Sequence, residues 1–464
     1  MKRKLFFLLI FFILLAPLFF LYFFYRSKAA SIKANIFVDT QKTMGKFPDR
    51  FKALAQGGEE RGVRMLENVI DLVAGLYPQY IRIDHIYDFY DVVSLDNKGN
   101  IILNWQKLDK TICDIYNVGA KPFLVLGYMP EILSEDGTLI GKPKKWPDWS
   151  FLVQKTIERY SGKETILPCG GLSSFWKTDI YYEVWNEPDL ETFGKWYYSG
   201  SKNYNELYFY AEKGANQAKN VYSFKIGGPV TTALYKNWIQ KFLDFIIENN
   251  LRIDFLSWHH YSKNPEDFTD DIIALNKYLA YPKYYRFQNL ERIISEWGYD
   301  SNPNPIADTN LGAAYTVKAI RNFIEANYKL AFLFEIKDGL NPSWGIITND
   351  AKPKPRYHAL KLLNSLSDMQ LLVEGEGTYV SALASLSYNR INLVLVNFDP
   401  QEKNIEMVPI TLKNLSNGEY YLKKTNILGQ ETKEKITINT NQIKTTLLMT
   451  PNSIWAIEIK KINQ

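Results

Sequence analysis

Tyr181-Tyr182-Glu183-Val184-Trp185-Asn186-Glu187-Pro188 and Arg292-Ile293-Ile294-Ser295-Glu296-Trp297-Gly298 each carry an apolar, strand-like run to a carboxylate where the run gives way to loop residues. In a parallel barrel, that end of a strand is where side chains are delivered to a cleft. Working outward, strand-like runs recur at 34–40, 80–86, 121–127, 181–188, 224–228, 254–261, 292–298 and 330–338. Helical periods, with apolar residues three and four apart, lie between them at 60–76, 105–118, 204–221, 238–249, 270–279 and 311–328. Strands alternating with helices predict a parallel sheet with crossover helices, and eight such units predict a closed (β/α)8 TIM barrel. On this count Glu187 ends the fourth strand and Glu296 the seventh, which lie across the barrel mouth from one another.

After Ser365 the texture changes to short alternating runs broken by Asn, Gly, Asp and Pro, with no helix-length period. This predicts a C-terminal antiparallel β-sandwich. Lys352-Pro353-Lys354-Pro355 reads as a rigid turn before the last barrel helix. At the other end, Lys2, Arg3 and Lys4 precede an unbroken apolar run from Leu5 to Tyr25. That covers the ~20 residues a membrane-spanning helix needs. A secretory apolar region is shorter, about 7–15 residues, and the cleavage signal here is weak, so an uncleaved anchor is favoured over a cleaved signal. The expected organisation is an α/β chain with residues 1–30 as an N-terminal transmembrane helix or signal segment, 31–365 as the barrel and 366–464 as the sandwich. The barrel is expected outside the cell, or secreted if residues 1–30 are removed.

Composition excludes several classes of function. The chain has 464 residues, 46% of them hydrophobic and 23% charged, which is ample for a large domain and a smaller one and rules out a disordered protein. Its net charge of +5 comes from 55 basic and 50 acidic residues spread along the length, so no patch argues for nucleic acid. Cys113 and Cys169 are too few for a disulfide framework; a bridge between them and two unlinked side chains both stay open. His259 and His260 make no metal pair, because adjacent strand residues point to opposite faces, and neither metal nor cofactor is called for. Many of the abundant aromatics, among them Trp185, Trp297 and Trp344, follow strand-like runs; most suit a core, and some suit a cleft that packs flat faces on sugar rings.

Two carboxyls facing one another across a cleft suit cleavage of a glycosidic bond: one protonated to assist the leaving oxygen, the other ionised to attack the anomeric carbon. Glu187, between Asn186 and Pro188 and close to Trp185, sits in a bulky, constrained setting that suits the acid. Glu296 is then the nucleophile.

The chain resembles glycoside hydrolase family 39, of the clan that places an Asn-Glu pair after strand four and a Glu after strand seven. The resemblance covers roughly residues 75 to 365 and rests on an ordered set of segments. They are Tyr80-Ile81-Arg82, 121–130 (KPFLVLGYMP), Glu183 to Leu190, Ile226-Gly227-Gly228-Pro229, 254–261 (DFLSWHHY), Ser295-Glu296-Trp297 and 353–359 (PKPRYHA). It implies Glu187 as acid/base and Glu296 as nucleophile, with Asn186 bonding the hydroxyl beside the anomeric carbon. His259 and Tyr261 match a His-x-Tyr at strand six and share one face of the strand. Arg82 is expected to order the surroundings of the nucleophile, a structural ion pair being the alternative. Where the family's xylosidases usually place a His two residues after that Arg, this chain has Asp84 followed by His85. Asp84, Trp297 and Trp344 are expected to border the sugar, and the departures put β-xyloside specificity in question. A catalytically silent, anchored polysaccharide-binding protein and a transglycosylase using the same glutamates remain alternatives to a retaining hydrolase acting on an extracellular oligosaccharide or polysaccharide.

Overall fold

A computed structural model describes residues 31–57, 61–171, 179–339 and 344–462. The expected membrane anchor lies outside these residues, and among them no helix is long and apolar enough to cross a membrane. The first part of the chain runs β1 (Ile36–Lys46), β2 (Ala53–Gln56), α1 (Ile70–Ala74), β3 (Tyr80–Ile83), the hairpin β4 (Val93–Leu95) and β5 (Ile101–Leu103), α2 (Gln106–Val118), β6 (Lys121–Leu126), α3 (Trp146–Tyr160) and β7 (Ile180–Val184). It continues through α4 (Tyr204–Gln217), β8 (Phe224–Thr231), α5 (Lys236–Glu248), β9 (Phe255–Tyr261), α6 (Asp267–Leu279), β10 (Glu291–Gly298), α7 (Asn310–Glu325), β11 (Leu330–Phe334) and α8 (Pro355–Leu363). The last part is β12 (Met369–Glu374), β13 (Val380–Ser387), β14 (Arg390–Asn397), β15 (Glu406–Lys413), β16 (Gly418–Asn426), β17 (Glu431–Ile438), β18 (Gln442–Met449) and β19 (Ile454–Lys461).

Eight strands close into a parallel barrel in the order β10-β11-β2-β3-β6-β7-β8-β9. Strand alternation sorts its side chains into two sets. Tyr80, Phe123, Tyr181, Phe255, Ile293 and Phe332 turn inward with Ala53 and Ala55 and fill the lower barrel. Phe123 stacks on Tyr181 with ring centroids 5.4 Å apart, and burying each such ring contributes roughly 1.5–3 kcal/mol. Leu54, Ile81, Leu124, Tyr182, Leu256 and Ile294 turn outward and join the helices in a second core. Gly227 is required where β8 meets β9: a Cβ there would stand 2.4 Å from the Phe255 carbonyl oxygen. Above the rings that fill the lower barrel, Arg82, Glu183, His259 and Glu296 gather buried at the upper, C-terminal end.

The sequence expectation for the first barrel strand is corrected here. Residues 36–40 of the expected run do form a strand, but β1 pairs in parallel with β15 and antiparallel with β12, inside the C-terminal sheet. The first barrel strand is β2, only four residues long and built around two alanines that leave room for the large inward rings. Because one strand was exchanged for another at the same place in the order, Glu187 still follows the fourth barrel strand and Glu296 still lies on the seventh. The expected helix over 60–76 is helical only at Ile70–Ala74 in the described residues, and the helix α3 carries no matching expectation.

The C-terminal strands form one nine-stranded sheet, β17-β16-β19-β14-β13-β12-β1-β15-β18, antiparallel but for the β1–β15 pair. The sheet folds over itself: Val408, Ile410 and Leu412 of β15 share a core with Ile391, Leu393 and Leu395 of β14. The alternate β14 residues, Val394 and Val396, belong to the barrel's core, and α7 packs on this layer. The order of layers is therefore barrel, β13–β14–β19, sandwich core, then β15 and β18.

Cys113 of α2 and Cys169 are joined by a disulfide with their Cα atoms 5.7 Å apart, which settles the question the sequence left open. It closes a loop of 56 residues, for which loss of unfolded-chain entropy gives about 4 kcal/mol of stability. Replacing both cysteines by serine is expected to lower the free energy of unfolding by up to about that amount, read from denaturant titration of wild type and variant under oxidising conditions.

Candidate active site

The upper end of the barrel gathers the polar inward residues around Arg82 of β3. Arg82 is buried and uses every face of its guanidinium: Nε donates to Glu183 Oε2 at 2.9 Å, Nη1 to Glu296 Oε1 at 2.6 Å and Nη2 to Asn186 Oδ1 at 2.8 Å. Nη2 also lies 3.4 Å from His259 Nε2. Burial opposes its charge, but the carboxylates of Glu183 and Glu296 hold its pKa above the ordinary value. Glu183 depends on this pairing through Oε2, since its other oxygen, Oε1, is buried with no hydrogen-bond partner among the described residues.

Glu296 reaches the cleft through a bulge. Along β9, Ile294 pairs with Trp258 and Glu296 with His259, so two residues of β10 answer one of β9. The extra residue, Ser295, resets the alternation and turns Glu296 inward and Trp297 outward. Glu296 then accepts from Tyr261 Oη at 2.9 Å in addition to Arg82. Burial pushes its carboxyl above the ordinary value, while His259 and Arg82 pull it back. Tyr261 is raised well above its usual range by burial and by Glu296 and stays a donor.

Glu187 sits in the loop after β7, where Trp185 and Glu187 adopt left-handed backbone with φ of 73° and 41°. Such conformations cost of order 1–3 kcal/mol each and need surroundings that hold them. Here the Glu187 amide donates to the Val230 carbonyl at 3.1 Å. The Trp185 ring donates to the Phe193 carbonyl at 2.8 Å and meets Tyr128 and Trp196 edge-on. Glu187 Oε1 accepts from His259 Nδ1 at 2.8 Å. That same nitrogen is 3.5 Å from Glu296 Oε2, so His259 stands between the two carboxylates. Burial opposes its protonation, but Glu296 and Glu187 outweigh that and raise its pKa above 6.5. Glu187, His259 and Glu296 bring oxygen and nitrogen atoms within 4.8 Å of one another. This spacing resembles a cation site, but the Arg82 guanidinium already occupies the charge-compensating place beside Glu296 and would repel a metal ion.

The structure thus brings together Glu187, Glu296, Asn186, His259, Tyr261 and Arg82. Asp84 is buried close enough to act electrostatically on Glu296, Arg82 and Tyr128. Trp344 stacks edge-on against Phe334 at 6.0 Å, and Phe334 meets Tyr261 at 6.5 Å, which sets Trp344 at the rim on the strand-eight side. The expectation for Trp297 is corrected: it is buried against Phe268, Tyr315 and Phe323, among the helices rather than in the cleft. Sequence reasoning missed Glu183, Tyr128, whose hydroxyl accepts from Asn186 Nδ2 at 2.8 Å, and the Gln56–Glu335 contact of 3.3 Å across β2 and the end of β11. A Glu inside an apolar strand and two residues from an inward Tyr was a usable signal for Glu183, and Tyr128 lies in the quoted segment 121–130; nothing local marked the Gln56–Glu335 contact.

Paired carboxyls at the ends of the fourth and seventh strands, one held by a cation and a phenol and the other by an imidazole, define a glycosidase barrel. The chain belongs to glycosyl hydrolases family 39, whose family model matches residues 73–427, through the barrel and into the sandwich. It is 26% identical over 456 residues to a beta-xylosidase of Caldicellulosiruptor saccharolyticus, covering 82% of this chain and 88% of that one. It is 28% identical over 327 residues to a beta-xylosidase of Geobacillus stearothermophilus, covering 62% and 61%. The crystal structure of a monomeric beta-xylosidase from Caulobacter crescentus CB15 superposes with a TM-score of 0.76 at 20% identity, over 93% of this chain and 100% of that one. The fold is shared with that enzyme, and the chain is a glycosidase.

Removing Arg82 leaves Glu183 and Glu296 buried without their cation. Arg82→Met is expected to cost about 3–5 kcal/mol of stability, measured by equilibrium unfolding, whereas Arg82→Met combined with Glu183→Gln recovers part of the loss.

Proposed function

We propose that the protein is a retaining O-glycosidase that acts through a covalent glycosyl-enzyme intermediate, with Glu187 as acid/base and Glu296 as nucleophile. The observation that carries this reading is that one oxygen of Glu187 and one of Glu296 meet His259 Nδ1 at 2.8 and 3.5 Å and lie within 4.8 Å of each other, a close approach that suits the ~5–5.5 Å carboxyl pair of retaining enzymes. In the first step Glu187 gives its proton to the glycosidic oxygen as a Glu296 oxygen attacks the anomeric carbon. The carbon–oxygen bond to the aglycone breaks, the alcohol leaves, and a glycosyl ester of Glu296 remains. In the second, Glu187 takes a proton from water, the water oxygen attacks the anomeric carbon, and the ester bond breaks to release the sugar and the Glu296 carboxylate. Arg82 and Tyr261 donate to Glu296 and so favour it as the ionised partner. Asn186, fixed by Arg82 and Tyr128, is placed to bond the sugar hydroxyl beside the reacting carbon.

The substrate class is a β-xyloside or a closely related neutral glycoside within an extracellular oligosaccharide; the two relatives named beta-xylosidase support the sugar. The apolar run from Leu5 to Tyr25 anchors the protein in a membrane, with the barrel on the outer side. The Cys113–Cys169 bridge supports that location, because disulfides persist in oxidising compartments.

Glu296→Ala is expected to abolish turnover of aryl xylosides, and a 2-deoxy-2-fluoro-xyloside bearing a good leaving group is expected to add one sugar mass to the Glu296 peptide of the wild type. Full activity of Glu296→Ala, or a label on another residue, overturns the assignment. For Glu187→Ala the rate loss grows as the leaving group becomes more basic; equal loss across leaving groups would remove it from the acid role. His259→Asn deletes a charge that lowers the Glu296 pKa. The acid limb of kcat/KM, which marks ionisation of Glu296, is therefore expected to move to higher pH, as read from pH–rate profiles.

A further inference from the structure

We propose that the outer face of β15 and β18 is a lipid-contacting surface on which the sandwich rests against the bilayer. This rests on the anchored reading above and goes beyond it, since an anchor alone leaves the globular part free to tumble on its tether.

The first observation is where the chain enters the fold. Residue 31 follows the apolar run by six positions, and by Ala34 the chain is already buried in the sandwich core. In the parallel β1–β15 register, Ile36 lies beside Ile410 and Phe37 beside Thr411. Counting back along the same register sets Ile32 and Lys33 beside the start of β15, where Lys33 Nζ is 3.5 Å from Glu406 and 3.2 Å from Asn404. A bilayer holding residues 5–25 therefore lies within a few residues' reach of this end of the sandwich, at no more than ~3.3–3.6 Å per residue.

The second observation is what that end exposes. Val408, Ile410 and Leu412 turn into the core, so Met407, Pro409 and Thr411 turn out. Met407 pairs with Leu448 across to β18. Ile32 is 69% exposed, Ile405 61%, Met407 57% and Leu448 50%. Single exposed apolar residues are ordinary, but Ile405, Met407 and Leu448 lie together on the outward face, with Ile32 at the edge where the chain emerges, and form a patch of the kind that meets a partner. Lys33 and Lys444 lie exposed on the same layer and suit anionic headgroups. The charged outward residues Asp39 and Lys42 stand toward the opposite end, further along β1, while Glu374 stands level with Lys444 and is neutralised by Lys42 at 3.3 Å.

The third observation is the order of layers. The barrel packs on β13, β14 and β19, on the other side of the sandwich core from β15 and β18. A bilayer against β15 and β18 leaves the barrel on the solvent side, separated from lipid by the thickness of the sandwich.

The two native cysteines are bonded to one another, so a single introduced cysteine can be labelled with bimane. Full-length Met407→Cys, Leu448→Cys and, as a barrel-surface control, Tyr281→Cys would be reconstituted into vesicles of phosphatidylcholine and phosphatidylglycerol carrying a spin-labelled lipid. Quenching at 407 and 448 is expected to exceed that at 281 by about threefold, because an interfacial face sits about 5–10 Å into the headgroup region. If the chain floats with the vesicles yet all three positions are quenched alike, the surface is overturned and the anchor stands. If the chain does not float with the vesicles, anchor and surface fall together. Turnover of aryl xyloside by the same samples tests the glycosidase reading separately, since neither the anchor nor the surface is needed for it.

Discussion

The guanidinium of Arg82 is the constraint on which the rest of the site depends. It is buried at the centre of the upper barrel and bonded to Glu183, Glu296 and Asn186, which come from the fourth strand, the seventh strand and the loop after the fourth. A buried cation is costly unless its donors are met, and buried carboxylates are costly unless compensated. Each partner therefore makes the others tolerable, and the geometry of one fixes the geometry of all. Since Arg is planar and bidentate, Lys could not hold carboxylates on two strands and an amide in the same plane.

Two local distortions then decide where the carboxylates point. A regular β10 with Ile293 inward would turn Glu296 to the helices; the bulge at Ser295 reverses this. A regular exit from β7 would not need left-handed backbone at Trp185 and Glu187. Both distortions are held by the packing behind them: Trp297 among Phe268, Tyr315 and Phe323 on one side, Trp185 among Tyr128 and Trp196 on the other. The large aromatic content serves this purpose more than it serves sugar stacking, for these tryptophans are buried. His259 links the two walls, and its raised pKa records that it stands between two acids.

Much of the barrel was legible because alternation of strand and helix is a local signal, and the two motif carboxylates mark strand ends whatever the partners of those strands. What was illegible required knowledge of partners. Residues 36–40 read correctly as a strand, but nothing in them says that their neighbours are β12 and β15, more than three hundred residues away. Ala-Leu-Ala-Gln at 53–56 is too short and too small to read as a strand, and its alanines make sense only against the rings they face. Trp297, an aromatic after a strand-like run, suits core and cleft equally in sequence; it is the neighbour of the inward Glu296 and so turns to the helices. Tyr128 lies in the quoted segment 121–130, but its bond to Asn186 is not legible there, and Gln56 and Glu335 meet only in the fold and carry no local mark.

The return of β1 into the C-terminal sheet also couples the two domains. The chain passes from β1 to β2 through Phe47 and Phe51, both buried in the barrel's core, so the first strand of the barrel is tethered at once to the sandwich. At the other end, α8 leads through the buried Leu366 into β12, which pairs with β1. The barrel is thus held to one sheet at both its entry and its exit, and the two connections end on neighbouring strands. Separation of the domains would have to break the β1–β12 ladder or expose the apolar layer of Leu383, Val394 and Val396. A force applied at the N-terminus would therefore be borne first by the sandwich ladder, leaving the Arg82 network outside the loaded path.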